Sequence, residues 1–205
     1  MTLEVKNSVK PIDYNQSMKI MEKRVHDVLI GRKNEFLWII EHKSVYTGGP
    51  TFETKDIINK NIKVIKTKRG GKITFHGPGQ KVVYFVLDLN KRGKDVRKLV
   101  RNVELCIINI LKEYKLDAYN DKKNIGIWVN SKSKVFKIAA IGIKIKKWVA
   151  YHGFSINVCN DLKKYNAIIP CGIRGRGITS MKTLGINNYK NINKIIKKNF
   201  LNTFL

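Results

Sequence analysis

The chain has 205 residues and a mass of 23.6 kDa, a length that suits one domain with its own hydrophobic core. Hydrophobic residues make up 43% of the sequence, which excludes a disordered polar chain. The net charge of +26 is spread along the whole chain, so it indicates either a solvated surface without a dedicated partner or a surface that attracts an acidic protein.

The first half of the chain predicts one helix followed by strands. Residues 14–30 carry apolar side chains at helical spacing, with Asp13 as the N-cap and Gly31 at the end. Apolar runs rich in β-branched and aromatic residues follow this helix, and their length is typical of strands. These strands are predicted at 35–40, 61–66 and 81–89.

The second half begins with the clearest helix, 95–114, whose apolar residues form one stripe. Strands are predicted at 125–129, 135–145 and 148–158, with a hairpin at Lys146-Lys147, and a basic amphipathic helix at 190–203. Strands outnumber helices and follow one another. The predicted class is therefore α+β, a single domain over residues 1–205 with one mixed sheet backed by helices.

The cysteines indicate the compartment. The chain has three widely spaced cysteines, Cys106, Cys159 and Cys171. An odd number at such spacing is unlike a disulfide framework or a paired-cysteine metal site. The N-terminus lacks the pattern of a signal peptide, and no apolar window approaches the about 20 residues of a membrane helix. We therefore predict reduced thiols in a cytoplasmic protein that does not enter a membrane.

The segment 69–80, R-G-G-K-I-T-F-H-G-P-G-Q, is rich in glycine and lies between two predicted strands. Glycine at this density permits sharp bends and a close approach by a ligand. The glycine motifs of phosphate-binding loops, G-x-x-x-x-G-K-S/T and G-x-G-x-x-G, are both absent from this segment. Two interpretations stay open: a binding loop with Arg69 and His76 as polar contacts, or a structural turn.

Two further residues, Cys171 and Lys137, are candidates for chemistry. Cys171 lies between Pro170 and Gly172, which present its thiol at a turn, whereas Cys106 is expected to face the core. Lys137 precedes the small and apolar run I-A-A-I-G, where a partly desolvated amine suits proton transfer, although a surface lysine is the commoner case.

His152 precedes Gly153 inside a predicted strand. That pair is typical of a bulge or of a ligand that approaches the backbone closely. A histidine in such a place is more often a satisfied structural residue than a catalyst.

The order of four motifs resembles one family. R-G-G-x-x-T-x-H-G-P-G-Q, K-I-A-x-I-G, H-G-F-x-x-N-V and I-P-C-G-I follow one another as in the octanoyl-(acyl-carrier-protein)–protein N-octanoyltransferases, the lipoate-protein ligase B type. The resemblance covers residues 15–185 and includes E-H-K-S-V-Y-T-G at 41–48. It implies the fold of lipoate and biotin protein ligases, a mixed sheet flanked by helices with an elongated pocket.

The resemblance also implies residue roles. Cys171 corresponds to the acyl-thioester nucleophile and Lys137 to the lysine that lowers its pKa. Gly70, Gly71 and Gly142 would line a slot too narrow for a branched chain, and His76 would orient the thioester. The substrate-binding residues that the resemblance implies are Arg69, Gly70, Gly71, Lys72, Ile73, Thr74, Phe75, His76, Ala140, Ile141, Gly142, Gly153, Phe154 and Ser155.

The implied reaction moves an octanoyl or lipoyl group from an acyl carrier protein to Cys171. The group then passes to a lysine of the lipoyl domains of 2-oxo acid dehydrogenases or of the glycine cleavage H protein. This is the first step of endogenous lipoate synthesis. The resemblance implies no cofactor, no metal, no nucleic acid, no membrane and a monomer.

Two alternatives remain. The first is an ATP-dependent lipoate or biotin ligase, because G-I-R-G-R-G at 172–177 is similar to an adenylate-binding loop, although it follows Lys137 instead of preceding it. The second is a nucleic-acid-binding protein, which would explain the charge but not the glycine-rich segments.

Overall fold

A computed structural model describes residues 2–170 and 176–205. Cys171, the candidate nucleophile, therefore lies outside the described residues. The strands of a large sheet are β1 (Leu3–Asn7), β2 (Glu35–Ile40), β6 (Gln80–Asp88), β7 (Ala118–Asn120), β8 (Ile127–Ser131), β9 (Lys134–Lys146), β10 (Val149–Asn157) and β11 (Gly177–Ile178). Their order across the sheet is β1-β2-β6-β10-β9-β8-β7, and the short strand β11 pairs with β9.

The large sheet is mixed, as predicted. β1 pairs with β2 and β11 pairs with β9 in parallel, while β2, β6, β10, β9, β8 and β7 form an antiparallel series. Every residue of β2 and β10 is buried, which is expected of strands covered on both faces.

Among the described residues, three α-helices cover the two faces of the sheet. α1 spans Tyr14–Leu29, α2 spans Val96–Lys112 and α3 spans Ile192–Phe204, close to the predicted bounds. The carboxylates of Asp13 and Asp95 accept hydrogen bonds from the first-turn amides of α1 and α2 at 3.0 and 2.8 Å, which satisfies otherwise unpaired donors. None of the helices in the described ranges is long and apolar enough to cross a bilayer.

Two hydrophobic cores lie on opposite faces of the sheet. On one face, Met21 and Val25 of α1 pack with Trp38 and Val86. The core on the other face holds α2 and α3, and there the ring of Phe200 lies 5.8 Å from that of Phe85, centroid to centroid. Cys106 is fully buried in this second core, which confirms its predicted orientation.

A second, three-stranded sheet was not anticipated. It has the order β4-β3-β5 and consists of β3 (Val45–Gly48), β4 (Val64–Lys66) and β5 (Ile73–His76). β5 lies inside the segment 69–80, so that segment is not one continuous loop. The strand forms because Ile73 and Phe75 bury their side chains in a third, smaller core with Tyr165 and Ile168.

The hairpin between β9 and β10 turns one residue later than predicted. Lys146 pairs with Val149, and Lys147 and Trp148 form the turn with positive φ angles of 47° and 62°. A two-residue turn with left-handed residues matches the twist of the strands, so it is the favoured geometry for such a short connection.

Candidate functional site

A cavity of about 520 Å³ lies between the β5 region and the strands β9 and β10. Almost all described residues of the predicted site line it. The predicted residues that line it are Arg69, Gly70, Gly71, Lys72, Thr74, His76, Lys137, Ala140, Ile141, Gly142, Gly153, Phe154 and Ser155.

Ile73 and Phe75 do not line this cavity. Side chains alternate between the faces of a strand, so Thr74 and His76 face the cavity while Ile73 and Phe75 point into the third core. The structure therefore gives these two side chains a packing role in the third core, whereas their contact with substrate stays a prediction.

Lys137 is a buried lysine, with only 4% of its surface exposed. Its ammonium donates a hydrogen bond to the carbonyl of Ile125 at 2.7 Å and lies 5.4 Å from the centroid of the Trp128 ring. Gly126 leaves room for it, because a Cβ there would lie 2.3 Å from Lys137 Cε. The commoner case, a surface lysine, does not apply to Lys137.

The residues on either side of the undescribed segment 171–175 lie near Lys137. Pro170 lines a small second cavity together with Lys137, Thr74 and Ser155. Arg176 lies 4.9 Å above the same Trp128 ring that Lys137 approaches. Both flanks of the segment therefore reach the same end of the large cavity.

Arg69 holds the loop above the cavity. Its guanidinium donates to the carbonyl of Thr47 at 2.7 Å and to the carbonyl of Lys72 at 2.8 Å, and it also bonds the Thr47 hydroxyl. These bonds tie the glycine-rich loop to β3, so Arg69 acts on the site at least partly through the backbone.

Glycine permits the loop to approach β9 closely. A Cβ on Gly70 would lie 2.9 Å from the carbonyl oxygen of Ile143, and a Cβ on Gly142 would lie 3.2 Å from that of Gly70. A Cβ at Gly70 would force the loop away from the strand, and a Cβ at Gly142 would require a shift of a few tenths of an ångström. The narrow slot that the resemblance implied is consistent with this contact.

His76 is oriented by Gln80. The Gln80 amide nitrogen donates to the carbonyl of Phe75 and to Asn157 Oδ1, so its oxygen is left to accept from His76 Nδ1 at 2.6 Å. The hydrogen-bond network therefore assigns the proton to Nδ1 and makes Nε2 the acceptor of the ring.

His42 lies behind His76, with 5.7 Å between ring centroids. Its Nδ1 must donate to the carbonyl of Ile12 at 3.0 Å, so its Nε2 accepts from the Tyr84 hydroxyl at 2.8 Å. Sequence reasoning did not assign this residue a role. Its only signal was its place in the motif at 41–48.

His152 also lines the cavity, and its backbone φ is +67°. It is 5% exposed, and neither ring nitrogen has a hydrogen-bond partner among residues 2–170 and 176–205. The expectation of a satisfied structural histidine is therefore wrong for the described part of the chain.

Burial keeps these three histidines neutral. It lowers the pKa of His76 to about 3, with help from His42 and Arg69. It lowers the pKa of His42 to about 4, against the opposing effects of the Ile12 carbonyl and Asp13. Burial, Arg69 and Lys144 together lower the pKa of His152 to about 4. All three rings are uncharged at neutral pH.

We expect the free energy of unfolding to fall as the pH is lowered from about 7 to about 5. An unfolded histidine titrates near pH ~6.5, whereas these folded ones titrate near 3 to 4. Between those values the unfolded state binds more protons, so each histidine contributes a slope of at most about 1.4 kcal/mol per pH unit. Their contribution is complete above pH ~6.5 and is lost on acidification.

Urea unfolding at several pH values measures this slope. The His42→Gln variant removes one of the three groups. Its unfolding free energy should therefore change less steeply with pH, by up to about 1.4 kcal/mol per pH unit, the effect of one proton. Equal unfolding free energies of the wild-type chain at both ends of the range would contradict the burial of neutral rings.

A sequence model of one family, the lipoyl protein ligase A/B catalytic domain, matches residues 13–200. An octanoyltransferase of Anaplasma phagocytophilum (strain HZ) is 41% identical over 207 residues, covering 100% of each chain. An octanoyltransferase of Wolbachia pipientis wMel is 42% identical over 195 residues, covering 94% of this chain and 95% of the relative. The chain belongs to the octanoyltransferase family.

Solved structures show the same fold as this octanoyltransferase-family chain. The bipartite lipoate protein ligase of Thermoplasma acidophilum has a TM-score of 0.70 at 14% identity, covering 99% of this chain and 84% of that one. P. falciparum LipL1 in complex with lipoate has a TM-score of 0.72 at 16% identity, covering 99% of this chain and 60% of that one. The predicted relation to ligase catalytic domains is confirmed at the level of fold.

Proposed function

We propose that this chain transfers an octanoyl group from the thioester of an acyl carrier protein to the side-chain amine of a lysine on a lipoyl domain. Relatives about 40% identical over nearly their whole length are octanoyltransferases. The observation that carries the proposal is the buried ammonium of Lys137 at one end of the cavity, next to both flanks of the segment that contains Cys171.

Cys171 is the nucleophile in this proposal. It follows Pro170 in the sequence, and Pro170 lines the small cavity with Lys137. Arg176, the first described residue after the segment, packs on the Trp128 ring beside the same lysine. Both constraints support a thiol close to an ammonium, and a nearby cation stabilises the thiolate form.

The first half-reaction forms the acyl-enzyme. The Cys171 thiolate attacks the carbonyl carbon of the donor thioester, and the carbon–sulfur bond to the carrier arm breaks. The carrier sulfur leaves as a thiol after taking a proton, which the Lys137 ammonium at this end of the cavity donates.

The second half-reaction releases the acyl group to the acceptor. The neutral ε-amine of the target lysine attacks the Cys171 thioester, and the Cys171 thiolate leaves. The nitrogen loses a proton, which returns to Lys137, and an amide results. The conversion of a thioester to an amide is downhill, so the scheme needs neither ATP nor a metal.

The cavity walls suit a straight hydrocarbon chain. Val82, Ile141, Ile143 and Phe154 contribute apolar surface, and the contact between Gly70 and the β9 strand limits the width. Burying such a chain yields about 25 cal/mol for each Å² of apolar surface removed from water.

The high positive charge fits acidic partners. Lys72 and Lys123 line the cavity, and a basic surface accelerates encounters with an acidic protein. Several points stay predictions of this scheme: the octanoyl-acyl carrier protein as donor, lipoyl-domain proteins as acceptors, the monomeric state, the cytoplasmic location and a role in lipoate synthesis.

Acceptor mass spectrometry tests the function. We expect the chain to transfer one octanoyl group from octanoyl-carrier protein to a lipoyl domain in the absence of ATP. A reaction that requires ATP and free octanoate, together with ATP–pyrophosphate exchange, would instead establish a ligase. Salt-sensitive binding to generic DNA without any acyl transfer would indicate the nucleic-acid-binding alternative.

A further inference from the structure

The direction of the Lys137 ammonium depends on a turn at residues 121–125. The Ile125 carbonyl accepts a hydrogen bond from Lys137 Nζ at 2.7 Å, and this ammonium forms no second hydrogen bond with residues 2–170 and 176–205. An ammonium carries three N–H donors, so two are left for the cavity that Lys137 lines. The position of the Ile125 carbonyl therefore sets where these two donors point.

Asp121 holds this turn through its side chain. Its Oδ1 accepts a hydrogen bond from the Lys123 backbone amide at 2.8 Å, and its Oδ2 accepts one from the Asn124 side-chain amide at 2.8 Å. The Asn124 carbonyl accepts from the indole of Trp128 at 2.9 Å, which ties the turn to a buried ring. The Ile125 side chain is 64% exposed, so its own packing does not fix its carbonyl. The turn is therefore held by hydrogen bonds that converge on Asp121 and Asn124.

Asp121 also binds Arg176, the first described residue after the segment 171–175. The guanidinium donates to Asp121 Oδ2 at 2.6 Å. The same guanidinium lies 4.9 Å from the centroid of the Trp128 ring, and the Lys137 ammonium lies 5.4 Å from that centroid. Two cations that approach one ring repel each other, and the Asp121 carboxylate offsets this repulsion by neutralising one of them.

The arrangement of donors around Asp121 requires a carboxylate. An ionised carboxylate only accepts hydrogen bonds, whereas an amide side chain would present an NH2 group to some of these donors. The hydrogen bonds from Asn124, Arg176 and the Lys123 amide hold the pKa of the Asp121 carboxyl well below its ordinary value. Asp121 is therefore ionised at neutral pH, in the form that this turn needs.

We propose that Asp121 is a positioning residue for acyl transfer: its carboxylate holds the turn at 121–125, and the Ile125 carbonyl of that turn aims the Lys137 ammonium into the cavity. The inference rests on the proposed function, in which Lys137 gives and takes back the proton. Asn124 and Ile125 line the large cavity, whereas Asp121 is not among its described lining residues. The carboxylate therefore acts on Lys137 through the turn and not on the acyl group.

Steady-state kinetics of the Asp121→Asn variant test the proposal. The amide keeps one oxygen for the Lys123 amide and turns its NH2 group towards the donors of Asn124 and Arg176. Misplacing a catalytic group lowers the rate without weakening substrate binding, so kcat should fall by about tenfold while the KM for octanoyl-carrier protein changes by less than about twofold. A raised KM with an unchanged kcat would place Asp121 in carrier docking and overturn the proposal.

The Asp121→Glu variant tests the role of the charge. It keeps a carboxylate for the Arg176 guanidinium, so its kcat should lie within about threefold of the wild-type value. Asp121 lies at the surface end of the turn, with 18% of its side chain exposed, so both variants should unfold near the urea concentration of the wild type. A kcat of Asp121→Glu as low as that of Asp121→Asn would overturn the assignment to the carboxylate.

The Asp161→Asn variant is the matched control. Asp161 also accepts a hydrogen bond from the backbone amide two residues further on, that of Lys163, at 3.0 Å, and it is exposed. The substitution changes the net charge by the same amount, and asparagine caps a short helix as well as aspartate does, so wild-type kinetics are expected. Equal losses of kcat in Asp121→Asn and Asp161→Asn would attribute the effect to the overall charge and overturn the proposal.

An NMR measurement follows Lys137 without turnover. Its ammonium is buried and hydrogen-bonded, so its Nζ should give a separate ¹H–¹⁵N signal, assigned by the loss of that signal in Lys137→Met. The signal should shift or broaden in Asp121→Asn and stay in place in Asp161→Asn. An unchanged signal in Asp121→Asn would overturn the proposal. If the wild type transfers no octanoyl group, the proposed function fails, and the signal still decides whether Asp121 positions Lys137.

Discussion

Replacement of Cys171 by serine is expected to lower the rate of octanoyl transfer on the order of 10³-fold or more. The thiolate is the nucleophile and the leaving group in the two half-reactions, whereas a serine hydroxyl is hardly ionised at neutral pH. Removing a nucleophile that acts in both steps leaves only the contribution of binding. The wild-type chain should form a hydroxylamine-labile octanoyl adduct on Cys171, visible by peptide mass spectrometry after incubation with octanoyl-carrier protein.

The other two cysteines are internal controls. Burial raises the pKa of the Cys106 thiol to about 12, so it stays protonated and unreactive. Cys159 is partly buried against the core, and Cys159→Ser should keep the adduct and the activity. Transfer by Cys171→Ser at the wild-type rate, or an adduct on Cys159, would contradict the mechanism.

Replacement of Lys137 by methionine is expected to slow both half-reactions by about 10² to 10⁴-fold, the usual contribution of a general acid–base group. Methionine nearly preserves the length of the side chain and removes the ammonium that donates to the Ile125 carbonyl. Rapid-mixing measurement of each half-reaction across a range of pH checks this expectation.

The same variant separates catalysis from folding. Replacing a buried charge by an apolar side chain of similar volume is often neutral or stabilising, so Lys137→Met should unfold at no lower urea concentration than the wild type. Lys134→Met, on the exposed start of the same strand, is the matched control and should keep full activity. An unchanged pH–rate profile in Lys137→Met would exclude Lys137 as the proton shuttle.

The long elements were predictable because their periodicity is local. The apolar stripe at 95–114 and the continuous apolar run at 35–40 became α2 and β2 with bounds shifted by at most two residues. β1, β3 and β7 are only three to five residues long and show no such repeat. They exist because they pair with other strands, as β1 does with β2 on the far side of α1, and that pairing leaves no signal within the short strand itself.

The sequence by itself determined the family and the two residues proposed for the chemistry. The order of the motifs along the chain identifies the family and these two residues, because that order is read without knowing where the residues lie in space. The family is confirmed, whereas the roles of Cys171 and Lys137 stay proposals.

Only the tertiary structure decided which polar groups are buried and which are satisfied. Lys137 is buried because Gly126 and Trp128 form a recess for its side chain. Trp128 lies on the neighbouring strand β8, and Gly126 lies just before that strand. Arg69 is held by Thr47, 22 residues away in the sequence. His152 faces the cavity without a partner among the described residues. Burial and hydrogen-bond satisfaction depend on atoms that are far apart along the chain, so no local pattern determines them.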